Sequence, residues 1–298
     1  MSTEKNTNTT DVTENPISVV IPAYNEENGI APVLEELKET LEKADVAAEI
    51  IVVDDGSTDD TAKKAEEAGV RVVRHEENRG YGAALKTGFR EACNEYVIIT
   101  DADGTYPSDA ILEMLPLRLD HEMVVGARTG ENVHIPLIRR PAKWFLNKLA
   151  NYLARYRIPD LNSGLRVIKK PLVEKYIGFL PDGFSFTTTI TLALLVAGYR
   201  VKYIPINYAH RTGKSKIRPI RDTLNFIALI IRTVLFFNPL RVLAPTGLFF
   251  IVAGVATFFA SWALLPLILD TTTALLVMTG VQILVLGLLG DIIVRQKR

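Results

Sequence analysis

Two uncharged stretches near the C-terminus constrain this chain more than any other feature. Val242–Leu269 runs for 28 residues without a charge, and after Asp270 the stretch Thr271–Gly290 runs for 20 more. A helix needs about 20 apolar residues to cross the hydrocarbon layer, and it satisfies its own backbone there. Two spans are expected, joined into a hairpin by Asp270-Thr271-Thr272-Thr273. Arg241 precedes the first span and Arg295-Gln296-Lys297-Arg298 follows the second, so both ends are expected on the cytoplasmic side. The plainer alternative is a buried hairpin in a soluble domain, which would rarely bury 28 uncharged residues in succession. No further span or export signal precedes Arg241, so the large N-terminal part is expected to be cytosolic. Residues 1–16, rich in Ser, Thr, Asn and Glu, read as a disordered tail.

The 34 basic and 34 acidic residues cancel, but they are segregated. Residues 1–131 hold 28 acids and 12 bases, whereas residues 132–298 hold 6 acids and 22 bases. A basic half attached to membrane spans reads as a surface for phosphates or an anionic bilayer. The single cysteine, Cys93, excludes an intrachain disulfide framework and fits a reducing compartment. It falls in a helix-like stretch, where a core or inert thiol is expected. His75, His121 and His134 lack metal-ligand spacing and read as structural or exposed. Trp144 and Trp262 read as interface and lipid-facing aromatics.

Before the spans, short apolar runs alternate with amphipathic stretches. Ile17–Ile21, Glu49–Val53, Val70–Arg74, Tyr96–Thr100 and Met123–Ala127 are β-like. Residues 26–43, 58–68, 81–94 and 108–119 are helix-like, the second opened by Ser57-Thr58-Asp59-Asp60, good N-capping chemistry. This order predicts an open, mostly parallel sheet with helices on both faces and ligands beyond the carboxyl ends of its strands. Two further segments read as basic amphipathic helices lying on a bilayer. From Pro141 to Tyr156, Phe145, Leu149, Tyr152, Leu153 and Tyr156 share a face opposite Lys143, Asn147, Asn151 and Arg155. From Ile217 to Phe237, Ile220, Leu224, Ile227, Ile231 and Val234 oppose Arg218, Arg221 and Arg232.

The strongest chemical signal is Asp101-Ala102-Asp103, directly after a predicted strand. Carboxylates at i and i+2 there can share one hard cation, Mg2+ or Mn2+, that keeps positions open for phosphate oxygens. Alone, such a triplet is usually a solvated loop. Three other turns precede it in order: Pro22-Ala23-Tyr24-Asn25-Glu26, Asp54-Asp55-Gly56-Ser57-Thr58-Asp59, and Asn78-Arg79-Gly80-Tyr81-Gly82. The last opens a helix whose N-terminus suits an anion. Leu85 stands where a dinucleotide fingerprint has its third glycine, which disfavours that reading.

This ordered set resembles the inverting family 2 glycosyltransferases of GT-A fold, and among them polyprenyl-phosphate glycosyltransferases of the dolichol-phosphate mannose or glucose synthase type. The resemblance covers roughly Ile17 to Arg241, plus the two-span tail of some members. It implies an α/β GT-A domain over residues 17–216, including an interfacial helix near 141–156. A juxtamembrane helix over 217–241, spans within 242–294 and a basic tail at 295–298 complete the expected organisation.

By the resemblance, Pro22, Tyr24, Glu26, Asp55 and Lys214 hold the nucleotide-sugar, with Asp101 and Asp103 on the diphosphate and on Mg2+ or Mn2+. Thr105 stands where many relatives carry Gln, and its hydroxyl is a candidate ligand. Arg128, Arg139, Ser163, Arg166, Arg211 and Lys216 are expected on the acceptor phosphate. Within this set, Asp160-Leu161-Asn162-Ser163-Gly164-Leu165-Arg166 resembles the acceptor loop, and His210–Lys216 a mobile loop that closes over the diphosphate. Asp103, Arg211, Asp160 and Lys214 are the expected catalytic set, with Asp160 a base, a group that orients the acceptor loop, or a metal ligand. The hydroxyl-rich stretch Phe184–Thr191 reads equally as acceptor-site or as packing.

The expected partners are a nucleotide-sugar donor, a polyprenyl phosphate acceptor and the lipid bilayer, with no nucleic acid. The implied reaction is inverting transfer of a hexose, GDP- or UDP-linked, to dolichyl or undecaprenyl phosphate. The nearest alternative is transfer to another membrane lipid or a lipid-linked sugar. A processive polysaccharide synthase would carry a Q/R-x-x-R-W motif, absent here. A non-catalytic scaffold would not need the intact Asp101/Asp103 pair.

Overall fold

A computed structural model describes residues 15–129, 148–208, 219–264 and 270–296. Strands Ile17–Ala23 (β1), Ala48–Asp54 (β2), Arg71–Arg74 (β3), Tyr96–Ile99 (β4), Met123–Ala127 (β5), Arg166–Lys169 (β6) and Val201–Pro205 (β7) form one sheet. Its order is β3-β2-β1-β4-β6-β5-β7. Only β6 runs antiparallel to its neighbours, β4 and β5. The helices of this part are Ile30–Lys43 (α1), Thr61–Glu67 (α2), Tyr81–Glu91 (α3), Asp109–Met114 (α4), Lys170–Tyr176 (α5) and Phe186–Ala197 (α6).

The sheet is covered on both faces because its inner strands are largely apolar; every residue of β1 is buried, Ser18 included. Ile17, Val19 and Ile21 share a core with Ile30, Leu34, Leu37 and Leu41 of α1 and with Ile111 and Met114 of α4. Each such buried side chain contributes roughly 1.5–3 kcal/mol. On the opposite face α3 approaches so closely that Gly88 leaves no room for a Cβ beside Val20. The chain steps outward from β1 to β3, then returns to place β4 on the other side of β1. That reversal opens a crevice at the carboxyl ends of β1 and β4, where open α/β sheets bind ligands.

Five strands stand within two residues of the expected runs. Helix α1 starts at Ile30 rather than Glu26, and Ser57–Asp60 stay in a turn before α2, because these two segments bond to each other instead. Strands β6 and β7 and helices α5 and α6 were not anticipated. Cys93 lies past the end of α3 and is exposed, so it is neither helical nor core.

By contacts the chain forms two compact units, one within Met1–Pro141 and Ile158–Arg218, the other within Ala142–Arg157 and Pro219–Arg298. The segment expected as an interfacial part of the catalytic domain thus groups with the hairpin. The second unit contains a helical stretch over 148–154 and helices Pro219–Phe237 (α7), Pro239–Leu264 (α8) and Asp270–Gln296 (α9). Helices α8 and α9, each containing 18 successive residues of mean hydropathy 2.1, are long and apolar enough to cross a membrane. Their seam is built from small residues: a Cβ on Gly247 would meet Gly280 O at 2.8 Å, and one on Gly280 would meet Gly247 O at 2.6 Å. Such residues let backbones approach where lipid offers no hydrophobic drive for helix pairing. Most large side chains point outward, Trp262 among them at 66% exposure, as a lipid-facing aromatic should. Among the described side chains of α7, Ile230, Thr233, Val234 and Phe237 are buried, of which Val234 belongs to the expected stripe. On 148–154 protein covers Ala150, Leu153 and Ala154, while Tyr152 and Tyr156 stay open.

Candidate active site

The loops after β1 and β2 form one wall of the crevice. The two strands end in register, Ala23 opposite Asp54. Asn25, at φ +55°, donates its N–H to Ser57 Oγ (2.9 Å) and accepts from Thr58 N (2.9 Å). Glu26 N donates to Thr61 Oγ1 (2.8 Å), and Lys64 Nζ to Glu27 O (2.9 Å). Pro22 is buried within β1, Glu26 is half-buried, and Tyr24 is exposed at the rim.

Asp55 shapes the next turn. Its carboxylate accepts from Arg79 N (3.0 Å) and Gly80 N (2.8 Å), and His75 Nδ1 lies 2.7 Å away. The other ring nitrogen of His75 lies 2.9 Å from Thr87 Oγ1, so the histidine is a structural bridge. The anion expected at the start of α3 is therefore Asp55 itself. Asp182 O accepts from Ala83 N (3.0 Å), which closes that helix end further. Gly80 is required there: its φ is +103°, and a Cβ would stand 2.6 Å from Asp182 O.

The D-x-D turn follows β4. Tyr81 Oη donates to Asp101 Oδ1 (3.0 Å); Thr105 N and Oγ1 donate to Asp103 Oδ1 (3.2 and 2.6 Å). Thr105 is buried with its proton directed at Asp103, so it orients that carboxylate. Burial, reinforced by the Asp101 charge, pushes the Tyr81 phenol well above its usual range and Tyr106 up to about 12. Both hydroxyls therefore stay protonated near neutral pH. Among the described residues no third acid, histidine or cysteine completes a metal cluster with the pair. Two oriented carboxylates at a strand end fit Mg2+ or Mn2+, which takes few protein ligands and leaves positions to water and phosphate.

The opposite wall is the loop leading into β6. Antiparallel pairing sets Ile99 of β4 opposite Arg166, so this loop adjoins the D-x-D turn. Gly164 N donates to Tyr106 Oη (2.6 Å), and a Cβ on Gly164 would stand 2.8 Å from Asp101 Oδ2. Arg128 grips Asp160 with Nε to Oδ2 (2.7 Å) and Nη2 to Oδ1 (3.0 Å). Burial raises the Asp160 carboxyl, but the hydrogen bonds and charge of Arg128 outweigh it and hold it below the usual range. Arg128 is lowered by burial and raised more by Asp160, ending above its ordinary value.

Ser163 and Arg166 were expected on a phosphate; both are fully buried. Ser163 Oγ donates to Gly126 O, while Arg166 donates from Nε to Ser163 O (2.7 Å), from Nη2 to Leu161 O (3.0 Å) and from Nη1 to Thr191 Oγ1. They build the loop from within, which corrects their expected contact with the acceptor. The hydroxyls of α6 are likewise internal. Thr189 and Thr191 bond carbonyls one turn back, and Thr188 bonds Asn162 Oδ1. The Tyr81 ring stacks on Phe184, centroids 5.5 Å apart, and Phe184 is 78% exposed. Arg139, Arg211, Lys214 and Lys216 lie outside the described residues, as do His134 and Trp144. Tyr81, Tyr106 and Gly164 had no assigned role beforehand, although Tyr81 and Gly164 stand inside motifs that had been singled out.

The family model "Glycosyl transferase family 2" matches residues 18–177, and "GtrB C-terminal hairpin" matches residues 238–295. The chain is 30% identical to a dolichyl-phosphate hexose transferase of Haloferax volcanii, over 70% of this chain and 90% of that protein. It is also 30% identical to an undecaprenyl-phosphate 4-deoxy-4-formamido-L-arabinose transferase of Proteus mirabilis, over 94% of this chain and 89% of the relative. Glucosyl-3-phosphoglycerate synthase of Mycobacterium tuberculosis, solved with Mn2+, UDP and phosphoglyceric acid, shares the fold. Its TM-score is 0.60 at 23% identity, covering 76% of this chain and 82% of that one. A GT-A-like sheet with D-x-D at its switch point, joined to a two-helix membrane hairpin, agrees with both matches: the chain belongs to glycosyl transferase family 2.

Proposed function

We propose that this protein transfers one hexose from a nucleotide-sugar, GDP- or UDP-linked, to a dolichyl or undecaprenyl phosphate, with inversion at the anomeric carbon. The observation that carries this reading is the alignment with the Proteus relative, which takes in both the family 2 domain and the hairpin. A water-soluble acceptor would give such an enzyme no need of a membrane anchor.

Tyr24, Glu26 and the turn shaped by Asp55 form the nucleotide wall, with Pro22 fixing the end of β1 and Lys214 on the diphosphate. Asp101 and Asp103 would hold Mg2+ or Mn2+, which when bound neutralises charge on the leaving diphosphate. Tyr81 and Thr105 keep those carboxylates aimed. Arg128, Arg139, Arg211 and Lys216 receive the acceptor phosphate, since guanidinium forks and ammonium groups suit its oxygens. Arg211 and Lys214 also offset charge on the leaving group.

A lipid phosphate oxygen attacks the anomeric carbon as the bond to the nucleoside diphosphate breaks on the opposite face. A phosphate monoester has its second pKa near 6, so at neutral pH no proton need be removed first. Asp160, held ionised by Arg128 with both oxygens engaged, is a positioning residue rather than a base. Arg241 and Arg295 flank the hairpin and support a cytosolic catalytic domain.

The test is a donor screen with the purified full chain in detergent, polyprenyl phosphate and Mg2+ or Mn2+, with products identified by mass. The expected product is the lipid phosphate plus one sugar residue. Sugar arriving only on lipids without a free phosphate, or only on lipid-linked sugars, would overturn the acceptor assignment.

A further inference from the structure

A hollow on the second unit has no part in this chemistry. Lys148, Asn151 and Tyr152 stand at i, i+3 and i+4 on one helix face, and Arg155 follows just past the helix end. Arg155 adopts a left-handed φ of +51°, and the chain turns there so that Tyr156 and Arg157 join the same rim. The six residues line an open hollow of about 390 Å³. Three carry positive charge, two are tyrosines, and none is acidic. The opposite face is buried at Ala150, Leu153 and Ala154, so the cationic face is the one presented outward.

Within the same unit Arg241 Nη1 donates to Leu153 O. Arg241 is the last charged residue before the uncharged run of α8. The hollow is therefore fastened at the end of the hairpin where α8 begins, at the level where hydrocarbon gives way to headgroups. Arg155 lies close enough to Arg241 for their like charges to interact. Clustered cations at a membrane surface attract anionic headgroups, and tyrosines settle at headgroup depth.

We propose that this hollow binds the phosphodiester headgroup of an anionic bilayer phospholipid. The proposal rests on the membrane hairpin and not on the transferase reading. Native mass spectrometry of the full chain in detergent, titrated with dioleoyl phosphatidylglycerol or dioleoyl phosphatidylcholine, tests it. The wild-type chain should retain phosphatidylglycerol about tenfold more tightly. Arg155→Gln/Arg157→Gln should bring the two lipids within about twofold, and Arg155→Lys/Arg157→Lys should keep most of the preference. Equal melting temperature and elution volume show that the Gln variant folds; Arg157→Gln alone, with a partial loss expected, serves if it does not. Equal retention of both lipids, or a preference surviving the Gln changes, overturns the proposal. So does displacement by inorganic phosphate at equal concentration, which would make this a bare phosphate site. Displacement by equimolar undecaprenyl phosphate would overturn it too, by making the hollow an acceptor subsite.

Discussion

Two neighbouring loops of the crevice treat their carboxylates in opposite ways. In the D-x-D turn, hydroxyl donors from Tyr81 and Thr105 orient Asp101 and Asp103. In the loop before β6, a guanidinium takes both oxygens of Asp160. A hydroxyl donor aims a carboxylate oxygen, whereas a bidentate guanidinium fixes the whole carboxylate in place. Under the proposed function the first loop would recruit a cation, while the second holds its shape.

Substitutions can break or sharpen this contrast. Asp103→Ala should lower transfer about 1,000-fold while the thermal midpoint stays within a degree or two of wild type. A comparable fall in stability would place Asp103 with Asp160 as a structural acid. Asp160→Asn should act on stability as well, destabilising the fold by about 3 kcal/mol in denaturant titrations because it leaves Arg128 unpaired. The folded Asp160 carboxyl titrates below its unfolded value near 3.9. Its contribution is therefore complete above that pH and lost as pH falls through the folded pKa. The Asn variant should show a flatter loss of stability below about pH 4; an unchanged acid limb would exclude Asp160 from it.

Gly164→Ala joins the two loops, since the added methyl collides with Asp101. We expect transfer to fall about 100-fold with little unfolding, and wild-type kinetics would show that the turn has slack. Tyr81→Phe should weaken Mn2+ binding about tenfold, read by electron paramagnetic resonance without any turnover, and Thr105→Val should do likewise. Unchanged affinity in both would remove the hydroxyls from that role. The smallest effect belongs to Lys86→Ala, whose pair with the exposed Asp182 should contribute under about 1 kcal/mol to stability.

Much of this was legible from residue order alone. The runs that became β1, β2, β4 and β5 were apolar and bounded by turn chemistry, so strand ends, and with them the D-x-D turn, could be located. Strand β6 was not, because its four residues, Arg-Val-Ile-Lys, begin and end on charges and offer too short a pattern. Helix α6 escaped because its run of β-branched threonines favours strand. Inside the protein those hydroxyls bond carbonyls one turn back and tolerate a buried helix. The misreading of Arg166 has the same root. An arginine beside a serine and a glycine looks like a phosphate fork, and only tertiary packing reveals that two carbonyls and a threonine already occupy it.

The Arg128–Asp160 pair joins residues 32 positions apart, one just after β5 and the other six residues before β6. It acts as a clasp between the two ends of a connection within which Ala142–Arg157 group with the hairpin's unit. A segment tied off in this way is a natural cassette. Exchanging residues 129–159 between relatives, with both clasp residues kept, should therefore leave the fold of the family 2 domain and its preferred nucleotide unaltered.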